Sequence, residues 1–265
     1  MRFCFFIIIF VGEKNSYNMS CIKLNENLSI STTGFDPYSR EAVHQLLMNI
    51  FHRTNFMGNI NNRKLPPVQV LHWDASYPMC SNSGEERIIL LTTKGDFWCQ
   101  WVYQFSHEIC HHVIDGAMTG EIKGQLWFEE TLCETNSLYQ LMQVLHIDCN
   151  RYPCLQHYSQ GVKDYLDNLF DSNPDLKLQL QQNGGIRQWL PLLYKPQHHR
   201  DYNNAVACLI LPLFVENPRL WGILDHIGDS RSYSTLEDLL AHLQETADDS
   251  YIDSLERLIA LLLNG

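Results

Sequence analysis

The sequence has little positive charge and no internal repeat. Lysine and arginine together number 19 against 30 aspartate and glutamate residues, which gives a formal net charge of -11. A nucleic-acid-binding domain usually presents a basic patch, whereas the dense cationic stretches of this chain are short. We therefore expect no nucleic-acid partner. Repeats of about 20 to 50 residues, which are typical of solenoid proteins, are not visible.

The cysteines do not follow the pattern of a disulfide framework. They number nine, which is odd, their spacings are irregular, and no C-x-x-C pair occurs. A reducing compartment therefore fits the sequence better than an oxidising one. This predicts a cytoplasmic protein.

The sequence also lacks a hydrophobic run long enough to span a membrane. The nine apolar residues from Phe3 to Val11 are too few, because a spanning helix needs about 20. Residues 1–22 have three interpretations: translation that begins at Met19, a signal-like segment, or a folded segment. The protein would be exported if residues 1–12 act as a signal. We expect no stable membrane span in the rest of the chain.

The apolar content of 45% in 265 residues is enough for a substantial core. Alternating and β-branched patterns predict strands at residues 68–73 and 87–92; the segment between them has a loop composition. After about residue 95, apolar residues recur at helical spacing. We therefore predict an α+β fold, in which a small mixed-sheet α/β lobe (residues 23–118) is followed by an all-α lobe (residues 119–265).

One helical segment contains a pattern that is typical of a metal site. His107-Glu108-Ile109-Cys110-His111 places two histidines four residues apart, so both imidazoles lie on one face of the helix and can reach one ion. Glu108 can reach a water molecule on that ion and act as a general base. Cys110 points away from this face, and we expect it to be a small buried side chain and not a ligand.

A second helical segment offers carboxylates for the same ion. Zinc needs a third protein ligand and an open fourth position when it is catalytic. Glu130 follows His111 after 18 residues, which gives the spacing HExxH-x18-E. Glu134 lies one turn further, where it can hold the ring of a ligand histidine as a supporting carboxylate. Trp127 lies on the same face, and the apolar surroundings favour a cationic partner for the acid.

With these three ligands the chain resembles the gluzincin metallopeptidases, the clan of thermolysin and the related aminopeptidases. The spacing matches the aminopeptidase branch, and so does the Trp-x-x-Glu pattern from Trp127 to Glu130. Thermolysin-type spacing would place Thr131 at the third position, and the metzincin pattern fails at Ile114 and Ala117. The resemblance covers residues 87–134 and, to a lesser extent, 201–215, and it makes Glu129 a less favoured ligand than Glu130.

The resemblance implies further features of fold and site. It implies a zincin-like fold, with the active-site helix at a cleft and one Zn²⁺. It also implies a tyrosine that stabilises the oxyanion, for which Tyr202 fits, although His157, Tyr194, His198 and His199 are rival donors. The substrate would pair with an edge strand, which the resemblance places at Ile88, Ile89, Leu90 and Leu91.

The predicted function is therefore zinc-dependent hydrolysis of peptide bonds in a peptide or protein substrate, with Glu108 as general base. The segment Ser83 to Arg87 lacks the Gly-x-Met-Glu-Asn pattern with which aminopeptidases bind a free amine, so exopeptidase action has no support. Two alternatives remain open. One is a zinc amidohydrolase that does not act on peptides, and the other is a non-catalytic zinc-binding helical module.

Overall fold

The computed structural model describes most of the chain. The described residues are 21–31, 40–57, 65–83, 86–95, 97–115, 125–147, 158–182, 185–195, 199–230 and 233–264. Three features predicted from the sequence lie outside them. These are most of the N-terminal segment, the boundary between the two predicted lobes, and the candidate donors His157 and His198.

The described strands form one mixed sheet of five strands in the order β1-β2-β3-β5-β4. The strands are β1 (Cys21–Asn25), β2 (Leu28–Ser31), β3 (Val68–His72), β4 (Met79–Ser83) and β5 (Glu86–Leu91). The three inner strands are parallel to one another, and the two outer strands are antiparallel to their neighbours. The sequence predicted β3 and β5 but not β1, β2 or β4.

The prediction that Ile88 to Leu91 form an edge strand is wrong. Strand β5 pairs with β3 on one side and with β4 on the other. Ile89 and Leu91 belong to the fully buried core, as expected for an apolar run in the middle of a sheet. The edge strand next to β5 is β4, which the sequence predicted as loop because it is short and polar; this composition is how edge strands resist unwanted pairing.

Helices make up most of the rest of the described structure, in agreement with the α+β fold class. They are α1 (Arg40–Met57), α2 (Trp98–Asp115), α3 (Leu126–Val144), α4 (Ser159–Asp171), α5 (Pro174–Leu180), α6 (Leu190–Leu193), α7 (Arg200–Glu216), α8 (Leu224–Ser230), α9 (Leu236–Thr246) and α10 (Ile252–Asn264). Two short 3-10 helices span Gly185–Gln188 and Pro218–Ile223. The sequence missed α5 and α8, which are only seven residues each.

Helices α2 and α3 lie at the centre of the molecule. The apolar residues of α2 recur at helical spacing, and Trp101, Phe105 and Ile109 are fully buried. Helix α2 packs against α1, α3, α8 and β5, and α3 packs against α2 and α7. One continuous core includes buried residues from Leu28 in β2 to Leu262 in α10. The side chains on the facing surfaces of α2 and α3 are therefore held in a rigid, water-poor setting.

Helix α7 is a long apolar helix in the C-terminal half, and it contains Pro212. Most of its apolar side chains are buried in the core, including Val206 and Phe214. No single helix among the described residues is long and apolar enough to cross a bilayer. Two consecutive helical segments, Arg200–Glu216 and Pro218–Gly228, reach that length and apolar content only when they are counted together, and the bend between them is 116°.

Candidate metal centre

The two central helices run antiparallel, and this brings the histidines of α2 to the glutamates of α3. His111 contacts Glu129 and His107 contacts Glu130. Ser137, two turns further along α3, donates a hydrogen bond to the backbone oxygen of Tyr103. Residues later in α3 thus contact residues earlier in α2. The C-terminal half of α2 therefore faces the first two turns of α3.

Glu130 lies against both motif histidines. Its Oε2 atom is 3.2 Å from His107 Nε2, and its Oε1 atom is 3.6 Å from His111 Nε2. Two ligands of a tetrahedral zinc ion are separated by about 3.3 to 3.6 Å, because zinc–nitrogen and zinc–oxygen bonds are about 2.0 to 2.2 Å long. Each pair of atoms is therefore about as close as two ligands of one ion, but the two contacts use different oxygens of Glu130. The structure places Glu130 beside His107 and His111; that these three residues bind one metal ion stays a prediction.

Cys133 is a further donor, which the sequence analysis did not identify. It lies one turn after Glu130 on α3 and is fully buried. Ligand atoms of His107, His111 and Cys133 lie within 4.8 Å of one another, so this group could hold a metal ion. Helix α3 thus offers both a carboxylate and a thiol to the two imidazoles. The signal in the sequence was the i, i+3 spacing of Glu130 and Cys133, which places both on one face.

Glu129 orients the ring of His111. Its Oε1 atom is 2.7 Å from His111 Nδ1, and its side chain is only 3% exposed. We assign the ring proton to Nδ1, because a carboxylate can only accept this hydrogen bond. The lone pair of Nε2 is then directed towards Glu130, as in metal sites where a carboxylate fixes the tautomer of a ligand histidine.

The sequence analysis assigned this supporting role to Glu134, and the structure contradicts it. The carboxylate of Glu134 accepts hydrogen bonds from the Tyr103 hydroxyl and from the Asn204 side-chain amide, the latter at 3.0 Å. The reason is the antiparallel packing of α2 and α3. Glu134 lies one turn past Glu130, where it faces the turn of α2 that precedes His107.

Glu108 lies between the metal ligands and the edge of the sheet. Its side chain is buried, with 4% exposure, and it accepts a hydrogen bond from the backbone N–H of Cys80 in β4. Burial raises the pKa of Glu108, and Glu130 adds to this, while His107, His111 and the Cys80 N–H oppose it. A carboxylate with a raised pKa is a better proton acceptor than an ordinary one.

The histidines are embedded in negative charge. Burial alone would lower the pKa of His107, but hydrogen bonding and attraction to Glu130 reverse this, and its pKa is raised overall. The pKa of His111 is raised further, because Glu130, Glu129 and Glu108 together outweigh the effect of burial. Three carboxylates thus surround two imidazoles. A divalent cation would offset this excess of negative charge.

The centre is not fully enclosed. The side chains of His107, His111 and Glu130 keep 19%, 15% and 17% of their surface exposed. A separate cavity of about 400 Å³ lies between β1 and α1. It is lined by Ile22, Leu24, Arg40, Glu41, His44, Gln45 and Met48, so it includes none of the residues of the candidate centre.

Tyr202 lies in the first turn of α7, and its ring packs against other aromatic side chains. Its ring lies edge-on to Trp189 at 4.8 Å and to His199 at 6.1 Å between ring centroids. The rival donor Tyr194 accepts a hydrogen bond from the backbone N–H of Leu236 at 3.0 Å. A role for Tyr202 in binding an oxyanion stays a prediction.

Comparisons of the chain with protein-family models, with curated proteins and with solved structures gave no match. The interpretation of this centre therefore depends on its own residues. The two histidines and Cys133 form the group of donor atoms, and Glu130 contacts both rings. Glu129 accepts a hydrogen bond from His111, and Glu108 lies beside them.

Proposed function

We propose that this protein hydrolyses peptide bonds with the help of one zinc ion and resembles a gluzincin peptidase. In this proposal His107, His111 and Glu130 hold the zinc, and Glu108 is the general base. Zinc fits a donor set of imidazole nitrogens and a carboxylate, and when bound it would supply Lewis-acid activation of both water and the scissile carbonyl group.

The observation that carries the proposal is the position of Glu108. It neighbours His107 on α2 and contacts the backbone of β4 at Cys80. The burial that raises its pKa favours transfer of a proton to it from water. Glu108 would then return that proton to the nitrogen of the leaving group. A buried, partly shielded carboxylate beside two imidazoles is suited to this exchange.

Strand β4 is the element that we propose for substrate alignment. It lies at the edge of the described sheet, with β5 as its neighbour, and α2 packs beside it. An extended peptide can pair with the free side of such a strand through backbone hydrogen bonds. The contact between Cys80 and Glu108 would bring that peptide to the general base. This role belongs to β4 and not to the central strand β5.

The test compares wild-type protein with the Glu108→Gln variant on a peptide library, with bound zinc measured in each sample. Loss of the general base should lower kcat by about 10²- to 10⁴-fold, while zinc remains at one ion per chain, because Glu108 is not a ligand. Glu86→Gln is the matched control, since Glu86 is an exposed glutamate of β5. A wild-type protein that binds no stoichiometric zinc would contradict the proposal.

A second candidate function is supported by Cys133. Its thiol beside the two histidines could complete a closed metal site, and closed sites are typical of structural zinc. The protein would then be a non-catalytic zinc-binding module. A wild-type protein that binds zinc but cleaves no peptide, and a Glu108→Gln variant that keeps its biological function, would support this second candidate.

A further inference from the structure

Helix α2 is attached to the sheet at two points, one on each side of the motif histidines. Near its beginning, the Gln104 side chain accepts hydrogen bonds from the backbone N–H groups of Thr92 and Thr93 at 3.1 and 3.3 Å, and it donates one to the Thr92 hydroxyl at 2.9 Å. At the other end, the Oδ2 atom of Asp115 is 2.9 Å from Nη1 of Arg87 in β5. The motif lies between these attachments, so its position over the sheet is fixed from both sides.

The ion pair of Arg87 and Asp115 is withdrawn from solvent. The side chain of Arg87 is 4% exposed and that of Asp115 is 18% exposed. Asp115 is the last residue of α2, where the helix dipole disfavours a carboxylate, and a buried guanidinium is costly without a charged partner. Each charge therefore offsets the cost of the other, and the contact ties the end of α2 to the central strand β5.

The same ion pair lies close to the contact between Glu108 and Cys80. In the register of β4 and β5, Arg87 is opposite Asn82, which is two residues from Cys80, so these three side chains lie on one face of the sheet. Burial raises the pKa of the Cys80 thiol; the charge of Arg87 opposes this effect, and the charges of Glu108 and Asp115 add to it. Both members of the ion pair and the proposed general base are therefore near one side chain of β4.

We propose that Arg87 and Asp115 are positioning residues for the general base. By holding the end of α2 against β5, the pair keeps the Glu108 carboxylate within reach of the Cys80 N–H in β4. Strand β4 keeps its place beside β5 because all five of its residues pair with that strand. The inference rests on the proposed function, in which Glu108 accepts a proton from water. Neither Arg87 nor Asp115 contacts a reactant in this role, and both act through the position of α2.

Hydrogen exchange of the Cys80 amide, followed by NMR on the full chain as purified, tests the proposal. Glu108→Ala removes the acceptor of the Cys80 N–H bond and sets the largest effect. Arg87→Gln and Asp115→Asn should each speed up this exchange by about 10-fold or more, as expected when a hydrogen bond to a charged group is weakened. The amide of Val70 in β3 should keep its wild-type rate.

Three results would overturn the proposal. Equal acceleration at Cys80 and Val70 would mean that the ion pair only stabilises the whole fold. Opposite effects of Arg87→Gln and Asp115→Asn would indicate a direct effect of charge, because the two substitutions remove opposite charges, whereas a positioning role predicts the same sign. Unchanged exchange in Glu108→Ala would mean that the contact does not protect the Cys80 amide.

Lys94→Gln is the matched control. It removes an exposed ion pair, between Lys94 after β5 and Asp74 after β3, and it should leave the exchange of the Cys80 amide at the wild-type rate. Should Asp115→Asn not fold because the Arg87 charge stays buried, Arg87→Met combined with Asp115→Ala removes both charges and is judged by the comparison of Cys80 with a β3 amide.

Peptide hydrolysis separates the inference from the proposed function. In Arg87→Gln, kcat should fall while KM stays close to the wild-type value, because a displaced general base affects the chemical step more than the binding of the peptide. An unchanged kcat together with faster exchange at Cys80 would overturn the positioning role. A wild-type protein that hydrolyses no peptide would contradict the proposed function, and the exchange rates would still decide whether the ion pair positions Glu108.

Discussion

The interface between α2 and α3 buries polar side chains at both ends, but it does so in two different ways. At one end most groups are neutral, and the charged side chains of Glu134 and Arg53 are hydrogen-bonded to neutral partners. Asn136 donates a hydrogen bond to the backbone oxygen of Ser106 at 2.6 Å, and Ser137 donates to Tyr103 at 3.0 Å. Gln140 continues the series by accepting from Arg53 Nε at 2.8 Å. These bonds link α1, α2 and α3 without any ligand.

At the other end the groups are ionisable. His107 and His111 face Glu129 and Glu130, and Glu108 lies beside them. Burying charge is costly unless it is paired, and here carboxylates outnumber imidazoles. The neutral end can satisfy its groups with hydrogen bonds within the protein, whereas the charged end needs protons or a cation. The difference indicates which end of the interface could hold a metal ion.

Among the substitutions that test this difference between the two ends, we expect the largest effect on the affinity for zinc. In Glu129→Gln, the charged acceptor of the His111 Nδ1–H bond is replaced by a neutral one, so the ring is held less firmly. Loss of such a supporting carboxylate typically costs about 10- to 100-fold in metal affinity. Competition with a chromophoric chelator measures this change. We expect zinc affinity to fall by about this factor.

Glu134→Gln is the matched control for this experiment. Glu134 lies on the same helix and is also buried, at 3% exposure, but it bonds to Tyr103 and Asn204. Its variant should bind zinc with nearly the wild-type affinity. If instead Glu134→Gln weakened zinc binding and Glu129→Gln did not, the supporting carboxylate would be the one predicted from the sequence.

The second effect is on the pH dependence of stability. Despite burial, the neighbouring glutamates raise the pKa of His107 and of His111 above the ordinary value of about 6.5. Protonation of these histidines therefore stabilises the folded, metal-free protein. This stabilisation is complete below pH 6.5 or so and is lost as the pH rises through the raised folded values. The Tm of chelator-treated protein should fall over that range.

Zinc should reverse this trend. The metal binds neutral imidazoles and displaces their protons, so the increase in Tm that zinc produces should grow with pH across the same range. The pKa of Glu108 is also raised, first by burial, and it acts with the same sign in the metal-free protein. A zinc-induced increase in Tm that does not depend on pH would indicate that zinc binds elsewhere.

The parts of this centre that could be predicted from the sequence are those set by local spacing. His107, Glu108 and His111 lie within two turns of one helix, and Glu130 lies on a second helix with a clear apolar period. Helical periodicity fixes which side chains share a face. It therefore predicted both helices and the candidate ligands His107, His111 and Glu130, but not Cys133.

The parts that could not be predicted depend on contacts between elements. The position of α3 along α2 decides that Glu129, and not Glu134, is the partner of His111. The same position brings Cys133 close to the two histidines. Likewise, β5 is central because β4 pairs with its outer side, and β4 has too little apolar pattern to be recognised. Strand pairing and helix packing are long-range, so periodicity does not report on them.

The smallest effect is expected at the neutral end of the interface. The Ser137 hydroxyl lies 3.0 Å from the backbone oxygen of Tyr103 and 3.1 Å from that of Cys133, so Ser137→Ala removes one hydrogen bond between α2 and α3. The free energy of unfolding should fall by about 0.5 to 1.5 kcal/mol, as measured by urea denaturation. Zinc affinity should not change, because no charge or ligand is lost. Thr135→Val is the control, since the Thr135 hydroxyl donates within α3 to Thr131. A large loss of zinc affinity in Ser137→Ala alone would show that the two ends of the interface are not independent.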